Sequence, residues 1–126
     1  MIRNGIDLIE IERIRRSLER PAFLQKVFGE HERAAFSHNG LRAESAAGAF
    51  AAKEAFSKAL GTGIRGFSLQ EVEVLHDQNG APYFLLSGKA AAIAAEQNLD
   101  FALSITHTKD YAAAVVTAFG KETDKR

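Results

Sequence analysis

The chain has no cysteine among its 126 residues, which excludes disulfides and thiol chemistry and is compatible with the reducing cytoplasm expected as its location. No apolar run approaches the length of a membrane-spanning helix, and Met1-Ile2-Arg3-Asn4 lacks the hydrophobic stretch of a signal peptide. Neither a membrane nor a targeting route is therefore expected. An excess of either charge is missing as well: 16 basic residues balance 16 acidic ones. Without a general basic footprint, nucleic acid is not an expected partner. Repeats, low-complexity tracts and long linkers are also absent.

What remains is an ordinary globular composition, 46% hydrophobic and 25% charged, expected to form one domain over residues 1–126. A chain of this size can build a core, and assembly into an oligomer would help it bury apolar surface. The charges are unevenly spread. Arg13, Arg15, Arg16, Arg20, Lys26 and Arg33 outnumber Glu19, Glu30 and Glu32 in the same stretch. The result is a local basic surface able to steer an acidic partner, or simply a solvated helix face.

Periodicity divides the chain in two. Ile2 to Ile9 reads as a short strand, Ile11, Ile14 and Leu18 fall at helical spacing, and Pro21 opens another helical piece through Phe28. Glu30 to Ser37 is a further helical piece, His38-Asn-Gly40 a loop, and Leu41 to Leu60 a long central helix. In the second half Ser68 to Leu75 alternates as a strand. Asp77-Gln-Asn-Gly80 is turn chemistry, and Pro82 to Leu86 is the returning strand of a hairpin. Lys89 to Gln97 is an alanine-rich helix, and Phe101 to His107 and Tyr111 to Phe119 are two more strands. Helices early and hairpins late predict an α+β fold with a mostly antiparallel sheet around a long central helix.

The central helix carries the most informative anomaly. Steps of three and four along it give Ala43, Ala47 and Phe50, then Glu54 and Lys58, so a carboxylate and an amine interrupt an apolar stripe. An i, i+4 ion pair is the plain reading, worth roughly 0.3–0.5 kcal/mol when exposed. A carboxylate on an inward face is costly, however, unless it is paired, hydrogen-bonded or bound to metal. Asp7, at the end of the first strand, is either a capping carboxylate or a second ligand. Asp7 and Glu54 are too few for a protein cage around Mg²⁺ but enough if phosphates and water complete the octahedron, with Lys53 and Lys58 meeting phosphate oxygens. Gly61-Thr62-Gly63 suits a left-handed helix cap, but lacks the spacing of a Walker loop or dinucleotide fingerprint. In Ser104-Ile-Thr106-His107-Thr108, the hydroxyls and imidazole suit phosphate or nucleotide, and no triad pattern supports a serine hydrolase.

Taken together, Gly5-Ile-Asp-Leu-Ile-Glu-Ile, Phe50-Ala-Ala-Lys-Glu-Ala-Phe-Ser-Lys-Ala-Leu-Gly-Thr-Gly63 and Ser104-Ile-Thr-His-Thr108 closely resemble the holo-[acyl-carrier-protein] synthases, the short 4′-phosphopantetheinyl transferases. The resemblance implies transfer of 4′-phosphopantetheine from coenzyme A to a serine of apo-acyl carrier protein, in support of fatty acid biosynthesis. It implies Mg²⁺ on Asp7 and Glu54, with Glu54 and Lys58 as catalytic residues. It implies a coenzyme A site built from Lys53, Lys58, Gly61, Thr62, Gly63, Ser104, Thr106, His107 and Thr108, and a homotrimer with sites between subunits. Arg13, Arg16 and Arg20 would receive the carrier protein. The chain departs from the family pattern at Ala49, where arginine is common, and at Arg3-Asn4, where a further glycine is common. Two other readings use the same residues: a non-enzymatic oligomeric docking module, and a magnesium-dependent hydrolase of coenzyme A or a related nucleotide.

Overall fold

A computed structural model describes residues 1–61 and 66–122. The chain runs β1 (Ile2–Glu10), α1 (Ile11–Ser17), α2 (Pro21–Val27), α3 (Glu30–Asn39), α4 (Ala43–Leu60), β2 (Val72–His76), β3 (Pro82–Leu86), α5 (Gly88–Glu96), β4 (Leu99–His107) and β5 (Tyr111–Gly120). The expected α+β architecture is present. One antiparallel sheet has the order β1-β5-β4, and β2 and β3 form a separate two-stranded hairpin. In the three-stranded sheet Asp7 stands opposite Ala114, which in turn stands opposite Ile105.

Alternation along these strands assigns the two faces of the sheet. On β5, Ala112, Ala114, Val116 and Ala118 are buried. The other face leaves Ile2, Ile6, Leu8 and Val115 exposed, an apolar surface among the described residues. Beneath the buried face lies α4, whose Ala46, Ala47, Ala49, Ala51, Ala52, Ala55 and Ala59 are all buried. Alanine on helix and strand alike lets the two backbones come close, and Gly5 marks the tightest point. A Cβ there would lie 1.9 Å from the Ala55 carbonyl oxygen and 2.7 Å from the Ala59 nitrogen.

The helix stops at Gly61, whose φ of 80° is the left-handed cap expected from the sequence, with its N–H donated to the Lys58 carbonyl at 3.0 Å. Arg3 adds a second restraint there, donating from Nη1 to the Leu60 carbonyl oxygen. On the opposite side, Phe56 joins the hairpin to the main sheet, its ring 5.3 Å from that of Phe84 and 4.7 Å from that of Phe101.

One element begins later than its alternation suggests. Ser68 to Glu71 is a capped turn rather than strand, because the Glu71 carboxylate accepts the Ser68 N–H at 3.0 Å. Ser-x-x-Glu is a capping signature, and it outweighs alternation over these four residues. Among the described residues no helix is long and apolar enough to cross a membrane.

Candidate active site

Because α4 lies so close to β1, side chains on the two elements meet at their common edge. Asp7 points toward α4, and the Lys58 ammonium reaches back to it, donating to Asp7 Oδ1 at 3.3 Å and to the Ile6 carbonyl oxygen at 2.9 Å. The sequence offered Glu54 as the partner of Lys58; among the described residues the ion pair of Lys58 is instead with Asp7, 51 positions away. Half-buried Glu54 lies within electrostatic reach of both. Burial raises the proton affinity of its carboxyl above the ordinary value and the charge on Asp7 raises it further, while Lys58 and Arg13 partly oppose the shift.

The rise at Glu54, caused in part by a neighbouring carboxylate, marks a place where added positive charge is favoured. Among the described residues no cluster of three or more acidic, histidine or cysteine side chains forms a fuller cage. The donor set therefore fits a hard, oxygen-seeking ion that draws most of its shell from water and phosphate, as Mg²⁺ does.

Arg13 ties a second surface to this pair. Its charge reaches Glu54, and with Arg16 and, past the end of α1, Arg20 it lines a shallow groove that also carries Glu10, Glu12 and Glu19. Sequence reasoning treated the basic helix and the acidic pair as separate features. Their adjacency depends on a contact between residues 41 positions apart, for which no local signal exists.

Lys53 does not join the site. Its side chain is fully buried, and its ammonium donates to Glu32 Oε1 at 2.7 Å, the Val72 carbonyl oxygen at 2.7 Å and the Leu69 carbonyl oxygen at 3.1 Å. With three protons given to three acceptors, none is left for a phosphate. A sequence signal for this was present: Ala46, Ala49, Lys53, Phe56 and Leu60 form a second stripe at helical spacing, with Lys53 at its centre.

The remaining expected residues lie elsewhere in the single chain. Gly61 caps α4, whereas Thr62 and Gly63 lie outside the described residues. Ser104 and Thr106 are exposed on the open face of the sheet, opposite Val115 and Ala113. His107 and Thr108 are exposed at the end of β4, where Thr108 Oγ1 accepts the Tyr111 N–H. With β5 between them, β4 stands about 10 Å from β1 at the usual strand spacing. One chain therefore gathers Asp7, Glu54, Lys58 and Arg13 but not the Ser104–Thr108 stretch. Ala49 is buried beside Arg42 and Ser45 in a hollow that also reaches His76 and Tyr83.

The sign of the Glu54 shift makes a test of the cation site. A carboxyl with raised proton affinity favours the folded apo-protein at low pH, and that contribution is lost as pH rises through its folded-state value. A cation needing both carboxylates charged binds in the opposite sense. Mg²⁺ should thus raise the melting temperature more at about pH 7.5 than at about pH 5, and Asp7→Asn should remove most of that difference. Equal stabilisation at both pH values would exclude Glu54 as a ligand.

An aspartate within the first strand, three residues before its end rather than at it, a glycine-capped helix that brings a glutamate and a lysine to it, and the antiparallel sheet that contains the strand define the class. The chain belongs to the 4′-phosphopantetheinyl transferase superfamily, whose family model matches residues 3–116. Its relatives within the superfamily are holo-[acyl-carrier-protein] synthases: the one from Caldanaerobacter subterraneus subsp. tengcongensis is 49% identical over 120 residues, 94% of either chain. The crystal structure of the Neisseria meningitidis holo-[acyl-carrier-protein] synthase matches with a TM-score of 0.88 and 34% identity, over 94% of this chain and 99% of that one. An ACPS–CoA complex from Chronobacterium ammoniagenes matches with a TM-score of 0.82 and 33% identity, over 97% and 99% of the two chains.

Proposed function

We propose that this chain transfers 4′-phosphopantetheine from coenzyme A to a serine of apo-acyl carrier protein in the cytoplasm, giving holo-acyl carrier protein for fatty acid synthesis. The family, the relatives' names and the coenzyme A complex among the structural neighbours support the reaction. The observation that carries the site assignment is the meeting of Asp7, Glu54 and Lys58 across β1 and α4.

In this reading Asp7 and Glu54 hold Mg²⁺, which when bound neutralises charge on the pyrophosphate of coenzyme A. Lys58 would place its ammonium beside the phosphate undergoing attack. The serine oxygen of the carrier forms the new bond to phosphorus, the bond to adenosine 3′,5′-bisphosphate breaks, and the serine proton passes to Glu54. Glu54 would take that proton directly or through a water, since a carboxylate engaged with a metal ion is the weaker base. Arg13, Arg16 and Arg20 receive the acidic carrier beside Glu54, so docking delivers the serine where its proton is taken.

The nucleotide wall comes from a neighbouring copy. Ser104, Thr106, His107 and Thr108 lie away from Asp7 in one chain, and exposed Ile2, Ile6, Leu8 and Val115 offer the apolar surface that a homotrimer would cover. Gly61, the cap of α4, would add to the nucleotide site; Thr62 and Gly63, expected beside it, lie outside the described residues.

Incubation with coenzyme A, Mg²⁺ and apo-carrier protein, followed by intact mass measurement, tests the reaction. A phosphopantetheine-sized gain on the carrier is expected. Bisphosphate release without that gain would make the chain a hydrolase, and carrier binding indifferent to coenzyme A and Mg²⁺ would make it a docking module. Charge reversal in Arg13→Glu should raise the KM for carrier by about tenfold or more with little change in coenzyme A affinity. Equal losses in the two titrations would assign Arg13 to the fold or the nucleotide.

A further inference from the structure

We infer that the buried Lys53–Glu32 pair is a positioning device: it fixes the rotation of α4 about its own axis and so aims Glu54 at Asp7. The inference rests on the proposed reading of Asp7 and Glu54 as a cation pair.

The pair is anchored in backbone on every side. Lys53 donates to Glu32, Leu69 and Val72, which belong to α3, the turn before β2, and β2. Glu32 accepts in turn from the Gly29 N–H at 2.9 Å and the Val74 N–H at 3.0 Å. The N–H of Glu32 goes to Glu73 Oε1, whose other oxygen is 2.9 Å from His31 Nδ1. The Lys53 ammonium also sits 5.4 Å from the centre of the Phe28 ring. α4 is thus held by directional bonds to an assembly made of α3 and the start of the hairpin.

Elsewhere the helix is held by the Phe56 ring against Phe84 and Phe101 and by the Lys58 bonds to Ile6 and Asp7. The Lys53–Glu32 pair supplies the directional restraint toward α3 and the hairpin. Toward the sheet it presents Gly48, near Ile105, and Ala55 and Ala59, near Gly5. These contacts limit how close the helix can come but not its angle, because burial of smooth apolar surface is non-directional. Successive helical residues are about 100° apart, so fixing the direction of Lys53 fixes that of Glu54. At a side-chain radius of roughly 5–6 Å, a roll of about 20° would sweep the Glu54 carboxylate about 2 Å. That equals a full Mg²⁺–oxygen bond, in a coordination sphere that demands near-ideal geometry.

Attraction between the two charges alone gives a weak reason for the pair. Burial pushes Lys53 below and Glu32 above their ordinary proton affinities, each toward its neutral form, and their mutual attraction only partly offsets this. The attraction within a buried ion pair often adds little net stability; what this pair adds is partners for the Gly29, Leu69, Val72 and Val74 backbone groups. What apolar side chains would not replace is the direction of the bonds.

The test is Mn²⁺ binding by calorimetry alongside thermal melting, on the full chain. The double variant Lys53→Met/Glu32→Gln removes both charges but leaves the Leu69 and Val72 carbonyls without a donor, so it should melt lower than the wild type; well below that melting temperature the folded protein should bind Mn²⁺ about tenfold more weakly. Its magnesium requirement for transfer should rise in step, while kcat at saturating Mg²⁺ changes less. Glu32→Asp, which keeps both charges and shortens the reach by one methylene, should weaken Mn²⁺ in the same direction. Wild-type Mn²⁺ affinity in either folded variant overturns the positioning role. Asp7→Asn separates the two ideas: if it too binds Mn²⁺ as the wild type does, the cation pair falls and takes this inference with it. If Asp7→Asn loses binding while the Lys53 and Glu32 variants keep it, only the positioning role falls.

Discussion

Replacing Glu54 with glutamine should abolish most of the transfer while leaving the fold intact. A positioned acid–base group contributes about 10²–10⁴-fold, and the same substitution removes one of two proposed metal ligands, so kcat should fall at least that far. Thermal stability should move the other way. Half-buried Glu54 faces the charge on Asp7, so at neutral pH the neutral amide relieves both desolvation and repulsion. The melting temperature in the absence of Mg²⁺ should match or exceed that of the wild type. Mass spectrometry of the carrier protein at saturating coenzyme A and Mg²⁺ reads the first effect, and circular dichroism the second. Wild-type turnover with that variant would sink the assignment of Glu54.

Gly5→Ala should be the most damaging small substitution in the chain. The new methyl group would begin 1.9 Å from the Ala55 oxygen and 2.7 Å from the Ala59 nitrogen. Both are backbone atoms of a helix, so no side-chain rotation relieves the clash and α4 must retreat from β1 by more than an ångström. Overpacking typically costs about 1–3 kcal/mol, and a collision with rigid backbone belongs at or beyond the upper end. Against a total stability of roughly 5–15 kcal/mol, the melting temperature should fall by about 10 °C or more. Any folded remainder should bind Mg²⁺ weakly, because Asp7 stands two residues along the displaced strand. A variant melting within about 2 °C of the wild type would show that the layer has slack the structure does not display.

The two predictions also mark what could be read from the sequence. Asp7 and Glu54 stood out because each is a carboxylate where local pattern favours an apolar or capping residue, and such conflicts need no knowledge of the fold. The strands and helices were legible for the same reason: the alternation read from Ser68 to Leu75, of which Val72 to Leu75 is strand, and the stripe through α4 are local periodicities. Lys53 was misread because its fate is decided by Glu32, 21 residues away on α3, and by two carbonyls beyond the end of its own helix. Hidden too was the choice of Lys58 for Asp7 rather than Glu54, since an i, i+4 neighbour is always visible in sequence and a partner on a distant strand is not. The reach of Arg13 to Glu54 belongs to the same class. Ser68 to Glu71 differs: two local signals competed there, and the capping contact prevailed over alternation.

The alanine layer between α4 and β5 has a further consequence, for how this protein can change. Ala51, Ala52, Ala55 and Ala59 on the helix, and Ala112, Ala114 and Ala118 on the strand, are nearly as small as residues come. Apart from glycine, every substitution there adds volume. Most hydrophobic cores drift by trading a loss at one position for a gain at another. This layer has little to lose and so cannot trade, and random variation in it fails by collision rather than by cavity. The distance between helix and sheet, and with it the spacing of Asp7 from Glu54, is thereby shielded from gradual drift.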